Sequence, residues 1–230
     1  MKFDLKLLGK NSIYIEAQSK KCVTEVLTAL SRKSPDTLYH SIDFANRIVH
    51  LKNIFKLSAE QVSHLYTAAL VHDAGKVSIE QELLSRKGMS RMDVLKFIGL
   101  PHIEKTQDVL SQYLKKGQLS KEAYLLALHH HEKLNGSGYP NGLKKAEDKK
   151  TYHSKQEMVK ENELTIYDAL FSAVDVLSAL SMKRAYRDRI LTPAERCEIM
   201  YNKVLNKEQD LEVVDKVIST FIQKDMHNEK

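Results

Sequence analysis

A histidine followed by an aspartate, His72-Asp73, ends an apolar stretch and runs straight into Ala74-Gly75-Lys76. Adjacent residues on a helix project about 100° apart, so an imidazole and a carboxylate at this spacing can approach a pair of metal ions from neighbouring directions. Gly75 lets the backbone turn after them, and Lys76 brings an ammonium near any phosphate held there. A second run, His130-His131-Glu132, repeats the arrangement and leads into Lys133-Leu134-Asn135-Gly136-Ser137-Gly138-Tyr139-Pro140. The glycines and proline of that loop suit a tight, specifically shaped turn.

Single residues extend the set. His40 lies one turn after Asp36, so the two share a helix face. His102 follows Pro101 at the start of a predicted helix. Asp175 is embedded in the apolar run Phe171–Leu180, where a carboxylate must be paired, protonated or metal-bound because burying it alone is very costly. Ten histidines among 230 residues, three of them contiguous at His129–His131, is an unusually high share for a chain otherwise ordinary in composition.

The elements that must position these residues read as helices. Apolar residues recur three and four apart in Val23–Val26–Leu27–Leu30, in Ile42–Ala45–Ile48–Val49 and in Leu65–Ala68–Ala69, and no stretch sustains strand alternation. Ser58 with Gln61, and Thr192-Pro193-Ala194-Glu195, have the form of capping boxes. Ser90 and Ser120 suit N-caps, Pro101 suits a first turn, and Gly117 after Lys115-Lys116 suits a helix stop. The spacing predicts helices over 17–32, 36–56, 58–72, 90–98, 101–116, 120–132, 164–182, 192–206 and 210–224. The expected fold class is all-α: an N-terminal helical lead over 1–32, then one helical-bundle domain over 33–230.

Composition narrows the function. Charged residues make up 29% and hydrophobic ones 42%, so the chain as a whole folds. Only Cys22 and Cys197 are present, which excludes a disulfide framework, and the chain reads as cytosolic. Apolar runs such as Ala123–Leu128 fall far short of the ~20 residues of a membrane span. The net charge of +6 suits an anionic ligand, but no basic stripe with interleaved aromatics points to nucleic acid. The densest basic stretch, Lys144 to Lys160, also holds Glu147, Asp148 and Glu157 and reads as a solvated, mobile insertion.

Taken in order, His40, His72-Asp73-Ala-Gly-Lys76, His102, His130-His131-Glu132, Gly136-Ser-Gly-Tyr-Pro140 and Asp175 resemble the pattern of the HD-GYP family, a subgroup of the HD-domain metal-dependent phosphohydrolases. The resemblance runs from about Asp36 to Arg187. It implies an all-helical fold whose binuclear or trinuclear metal centre hydrolyses cyclic dinucleotides, above all cyclic di-GMP, to pGpG or GMP. By position it makes His40, His72, Asp73, His102, His130, His131 and Asp175 the metal ligands, with Asp36 where some members bind a third ion. Met182-Lys-Arg184-Ala-Tyr186-Arg187 resembles the family segment that holds substrate phosphate, so Arg184, Tyr186 and Arg187 join Lys76 as expected substrate contacts. Ser178, Ala185 and Glu80 depart from the usual Asp, Pro and Pro, and the stretch from Leu143 to Asp175 is longer than usual.

Mixed imidazole and carboxylate donors suit Fe or Mn, with Ni, Co or Zn as alternatives, better than Mg or Ca. Asp73 is the expected bridge between two ions, and Lys76 the expected charge on the reacting phosphate. The Gly136–Pro140 loop is expected to shape the pocket or to offer a surface to a protein partner. His129 is left to the helix surface or to support of its neighbours, and His50, His64, His153 and His227 need no special role. Two other readings stay open. One is an HD-type hydrolase of another nucleotide, such as cyclic GMP-AMP or an alarmone; the other is a non-catalytic module that binds a cyclic dinucleotide or recruits a partner. Regulatory input is expected from another chain or from residues 1–32.

Overall fold

In the computed structural model, which describes residues 2–86, 88–182 and 189–222, the secondary structure is helical. A 3-10 stretch (Leu5–Tyr14) leads to α1 (Lys20–Lys33), α2 (Pro35–Leu51), α3 (Ala59–Val71), a 3-10 turn (Ala74–Ser78), α4 (Gln81–Ser85) and α5 (Arg91–Val94). A π-helical turn (Leu95–Gly99) then feeds α6 (Leu100–Lys115), followed by α7 (Lys121–His129), α8 (Lys149–Tyr152), α9 (Ile166–Ser181), α10 (Pro193–Leu205) and α11 (Leu211–Phe221). Among the described residues there is no strand, only the isolated bridges Asn135–Lys144 and Lys145–Leu164. No described helix is long and apolar enough to cross a membrane.

Helix starts fall where side chains can accept from otherwise unpaired amides. Ser58 and Gln61 close a capping box at α3, and Thr192 and Glu195 do the same at α10. Thr165 and Asp168 form a third at α9. Ser120 Oγ accepts from Ala123 at the start of α7, and Ser90 Oγ accepts from the Asp93 amide. Gly117 ends the α6 region at φ +65°, a conformation in which a Cβ is strained.

α3 is the centre of the core. Every residue from Val62 to Val71 is buried, as expected of a helix that is apolar around its circumference, and α1, α2, α7 and α9 pack on it. Phe44 of α2 meets Phe171 of α9 at 4.6 Å between ring centroids, closing the core beneath the histidine positions. Leu8, Ile15 and the Cys22, Val23, Val26, Leu27 and Leu30 face of α1 share the same core.

Three expectations need correction. The predicted helices over 90–98 and 101–116 run together, because the Leu100 amide bonds back five residues to the Leu95 carbonyl and Pro101 sits in the first turn of α6. The helix predicted over 36–56 ends at Leu51, and the chain turns at Lys56 with φ +52°. The 144–160 stretch, expected to be a solvated, mobile insertion, is exposed along much of its length but anchored in the core. Ala146, Tyr152, Met158 and Val159 are buried in the main core, the Tyr152 hydroxyl donates to Asp210 Oδ2 (2.9 Å), and Thr165 Oγ1 donates to the Met158 carbonyl (2.7 Å).

Candidate metal centre

Five elements deliver the donors. α2 carries His40, the end of α3 carries His72 and Asp73, the first turn of α6 carries His102, the end of α7 carries His130 and His131, and α9 carries Asp175. The donor atoms of His40, His72 and Asp73 lie within 4.8 Å of one another, and so do those of His102, His130 and His131. Asp73 stands between the two groups. Its Oδ2 is 3.2 Å from His72 Nε2, while its Oδ1 is 3.5 Å from His102 Nε2 and 3.9 Å from His130 Nε2. Asp175 Oδ1 is 2.9 Å from His40 Nε2 and 3.7 Å from His72 Nε2.

Local folding sets the direction of each ring. The Nδ1 atoms of His72, His102 and His130 lie 2.9, 2.9 and 2.7 Å from the carbonyls of Ala69, Ile98 and Ala127. A carbonyl only accepts, so each Nδ1 carries the proton and each Nε2 presents a lone pair to the interior, the arrangement seen in metal-binding histidines. His40 Nδ1 is 3.1 Å from Ser178 Oγ, and Ser178 Oγ in turn donates to Asp43 Oδ2 (2.7 Å). The His131 ring packs against Tyr139 at 4.7 Å between centroids.

Gly75 allows the 3-10 turn to meet α6. A Cβ there would stand 2.0 Å from the His102 carbonyl oxygen and 2.5 Å from the Thr106 amide nitrogen. The Gly75 amide donates to Thr106 Oγ1 (2.9 Å), which donates to the His72 carbonyl (3.2 Å). One threonine therefore ties the His72-Asp73 segment to the helix that carries His102.

The donor set fits metal ions. Asp73 Oδ1 is fully buried and has no hydrogen-bond partner, a costly state for a carboxylate oxygen without a cation. Burial pushes His102 down to about 4 and His131 down to about 3. Burial and the His131 and His72 charges hold His130 well below its ordinary value. These three imidazoles are neutral at pH 7. Burial also lowers His72, but the Asp73 and Asp175 carboxylates outweigh it and hold His72 above its ordinary value. For Asp73, burial is outweighed by His72 and by the Lys76 ammonium, 2.6 Å from Oδ2, and the carboxyl is held well below the usual carboxylate range. Asp175 is likewise held down against burial by its bond to His40.

A cavity of about 640 Å³ opens over these groups and is lined also by Asp36, Lys76, Arg86 and Tyr139. Asp36 lies exposed on the first turn of α2 and belongs to neither group of converging donors. Arg184, Tyr186 and Arg187, expected to hold substrate, lie outside the described residues. His129 is not on the surface: it is buried, with Nδ1 3.0 Å from Asp168 Oδ1. His64 is buried too, against Ser120 Oγ at 3.0 Å.

Three residues take supporting roles that appear only in the fold. Ser178, a departure from the family pattern, stands three residues after Asp175 on the same helix face. Glu132 proves to be buried, accepting from the Asn141 and Leu143 amides at 2.6 and 2.9 Å, and so folds the loop back onto the end of α7. Gly138 packs its α-carbon where a Cβ would meet the Lys133 amide at 2.4 Å.

Fold and donor set together define a helical domain built around a histidine–aspartate centre. The HD domain model matches residues 37–180, and the chain belongs to that family. Over 186 residues it is 28% identical to the 3'3'-cGAMP-specific phosphodiesterase 2 of Vibrio cholerae serotype O1, covering 80% of this chain and 32% of the relative. Over 107 residues it is 32% identical to the cyclic di-GMP phosphodiesterase response regulator RpfG of Xanthomonas campestris pv. campestris, covering 44% of this chain and 27% of the relative. The chain thus spans about a third or less of the length of these relatives. Among solved structures, the HD domain of the L. monocytogenes phosphodiesterase PgpH superposes with a TM-score of 0.55 at 16% identity, covering 89% of this chain and 99% of that one, a likeness of fold.

Proposed function

We propose that the chain is an HD-GYP-type, metal-dependent phosphodiesterase that opens cyclic dinucleotides, with cyclic di-GMP as the first candidate and pGpG or GMP as product. The observation that carries this reading is Asp73: one buried carboxylate whose two oxygens face two separate groups of imidazoles, with one oxygen lacking any other partner. His40, His72, Asp73 and Asp175 would hold one ion and Asp73, His102, His130 and His131 a second. Asp36, on the same helix face as His40, is the candidate for a third. We assign Fe or Mn before Ni, Co or Zn, on the mixed nitrogen and oxygen donors. When bound, the ions supply Lewis-acid charge for the phosphodiester and an activated water for in-line attack.

The chain's own residues supply the rest. Lys76 leans on Asp73 and keeps part of its surface open to the cavity, so its ammonium can meet a phosphate oxygen as charge develops there. Tyr139 turns inward beside His131 and limits that end of the cavity, which supports a pocket-shaping role for the Gly136–Pro140 loop. Ser137 and Pro140 face outward and are the part of the loop offered to a protein partner. Arg184, Tyr186 and Arg187 are assigned to substrate phosphate on the family resemblance. Residues 1–32 are proposed as a helical lead on the 33–230 domain.

Cyclic GMP-AMP is the second substrate reading, favoured because relatives matched over most of this chain are named as phosphodiesterases specific for it. The deciding experiment is elemental analysis of anaerobically purified protein, with product identification from cyclic di-GMP, cyclic GMP-AMP and cyclic di-AMP. His72→Ala combined with Asp73→Ala should remove metal and turnover together. Full turnover in that double variant would sink the assignment, and tight binding without turnover by the metal-replete wild type would leave a binding module.

A further inference from the structure

Residues 81–86 and 88–99 contribute to the cavity wall and supply none of the histidine–aspartate donors. This wall presents Leu83, Leu84, Met89, Val94 and Ile98 to the cavity and, among them, the guanidinium-bearing Arg86. The backbone holds Arg86 at the end of α4, where its amide donates to the Leu83 carbonyl. Two cationic side chains line the cavity among the described residues, and they differ in kind. Lys76 is committed to Asp73 at 2.6 Å and belongs to the reacting end. The Arg86 side chain has no hydrogen-bond or ion-pair partner among the described residues.

A cyclic dinucleotide carries two phosphates in one ring, and only one can be attacked at a time. The other needs its charge met elsewhere in the same cavity, by a group that is not a donor to the ions. An exposed, unpaired guanidinium on the wall of this cavity fits that need: its planar fork matches phosphate oxygens, and the apolar side chains that line the same cavity offer surfaces to the bases. We propose that Arg86 binds the non-scissile phosphate of the cyclic dinucleotide, an assignment that rests on the phosphodiesterase reading above.

The test compares wild type, Arg86→Ala and Arg86→Lys, each as the full chain loaded anaerobically with Mn(II). The probes are cyclic di-GMP, cyclic di-AMP as substrate or competitive inhibitor, and bis(p-nitrophenyl) phosphate, which has a single phosphodiester. Arg86→Ala should raise KM for cyclic di-GMP, and KM or KI for cyclic di-AMP, roughly ten- to hundredfold, as expected for a lost charge-assisted contact, with little change in kcat. KM for the one-phosphate ester should stay within about twofold, since that ester has no second phosphate to lose. Arg86→Lys, which keeps the charge and loses the fork, should recover part of the loss on both cyclic dinucleotides. An equal rise for all three probes, or no rise, overturns the assignment. A rise confined to the guanine-containing ligand with no rescue by Lys assigns Arg86 to the base edge and overturns it too. Absence of hydrolysis of every probe by wild type overturns the phosphodiesterase reading itself, and the Arg86 assignment with it. Hydrolysis with an unaffected Arg86→Ala overturns the assignment alone.

Discussion

His102 Nε2 and His130 Nε2 face each other at 3.3 Å while the Nδ1 atom of each is committed to a backbone carbonyl. With the protons on Nδ1, two lone pairs point at one another, an arrangement that repels unless a cation lies between or beside them. Ions that bind this folded pair and not the unfolded chain must stabilise it. At a free metal concentration a hundred times Kd, the gain is about 2.7 kcal/mol, or roughly 5–10 °C in Tm for a chain of this size. Differential scanning fluorimetry with Mn(II) or Fe(II) reads this directly. His102→Ala should lose most of the rise and about half the bound metal by elemental analysis. A His102→Ala protein with the full rise would place the ions elsewhere.

Acid should weaken the metal-free protein earlier than carboxylate titration would. Burial holds His102 at about 4 and His131 at about 3 in the folded chain, against an ordinary 6.5. The unfolded chain therefore binds more protons below pH 6.5, and stability falls as pH drops. His72, held above 6.5, acts in the opposite sense and offsets one imidazole of the set. Net of that, Tm of the metal-free chain should decline from about pH 6.5 towards 4, and saturating metal should raise Tm most at neutral pH and so steepen the decline, since the ions compete with protons for the same nitrogens. A flat profile without metal would contradict the buried, neutral state of these rings.

Gly75→Ala should damage the centre without touching a donor. The added Cβ would sit on backbone atoms of α6, which cannot rotate away, so the 3-10 turn and α6 must separate. Overpacking of this kind costs about 1–3 kcal/mol or more. Thr106→Val keeps the volume but leaves the Gly75 amide unpaired, at about 1–3 kcal/mol. Both variants should bind metal at least tenfold more weakly by competition with a chelator. Unchanged metal affinity in Gly75→Ala would mean that the His72–His102 spacing is set elsewhere.

Glu132→Gln should loosen the loop after α7 while leaving the ions in place. The carboxylate accepts from two amides, Asn141 and Leu143, and charge-assisted bonds of this sort outweigh neutral ones. Hydrogen exchange at those two amides should accelerate at least tenfold, with metal content unchanged. Exchange at the wild-type rate would show that the loop is held by Gly138 packing instead.

The side chains that converge were legible because their signals are local. His72 and Asp73 are adjacent, His130 and His131 are adjacent, and Asp175 stands out as a carboxylate in an apolar helix. What joins them was not legible, since the Gly75–Thr106–His72 link and the Ser178–His40 contact exist only once distant helices meet. The 144–160 stretch misled because its lysines and glutamates mask four buried residues, Ala146, Tyr152, Met158 and Val159, that follow no helical period. Pro101 does sit in the first turn of the helix that carries His102, but the π-helical turn before it joins that helix to the preceding one. For His129 the sequence leaves two places open, the helix surface or support of its neighbours, and burial beside Asp168 removes the first.

The contact between His40 and Asp175 spans 135 positions of the chain. On a ribosome, His102, His130 and His131 emerge well before Asp175, so one half of the centre can be assembled while the other still lacks its last carboxylate. At typical elongation rates that interval is on the order of seconds. An ion captured early would find an incomplete set of donors, and a complete one would require α9 to have docked. The order in which the candidate donors become available is thus written into their linear order in the chain.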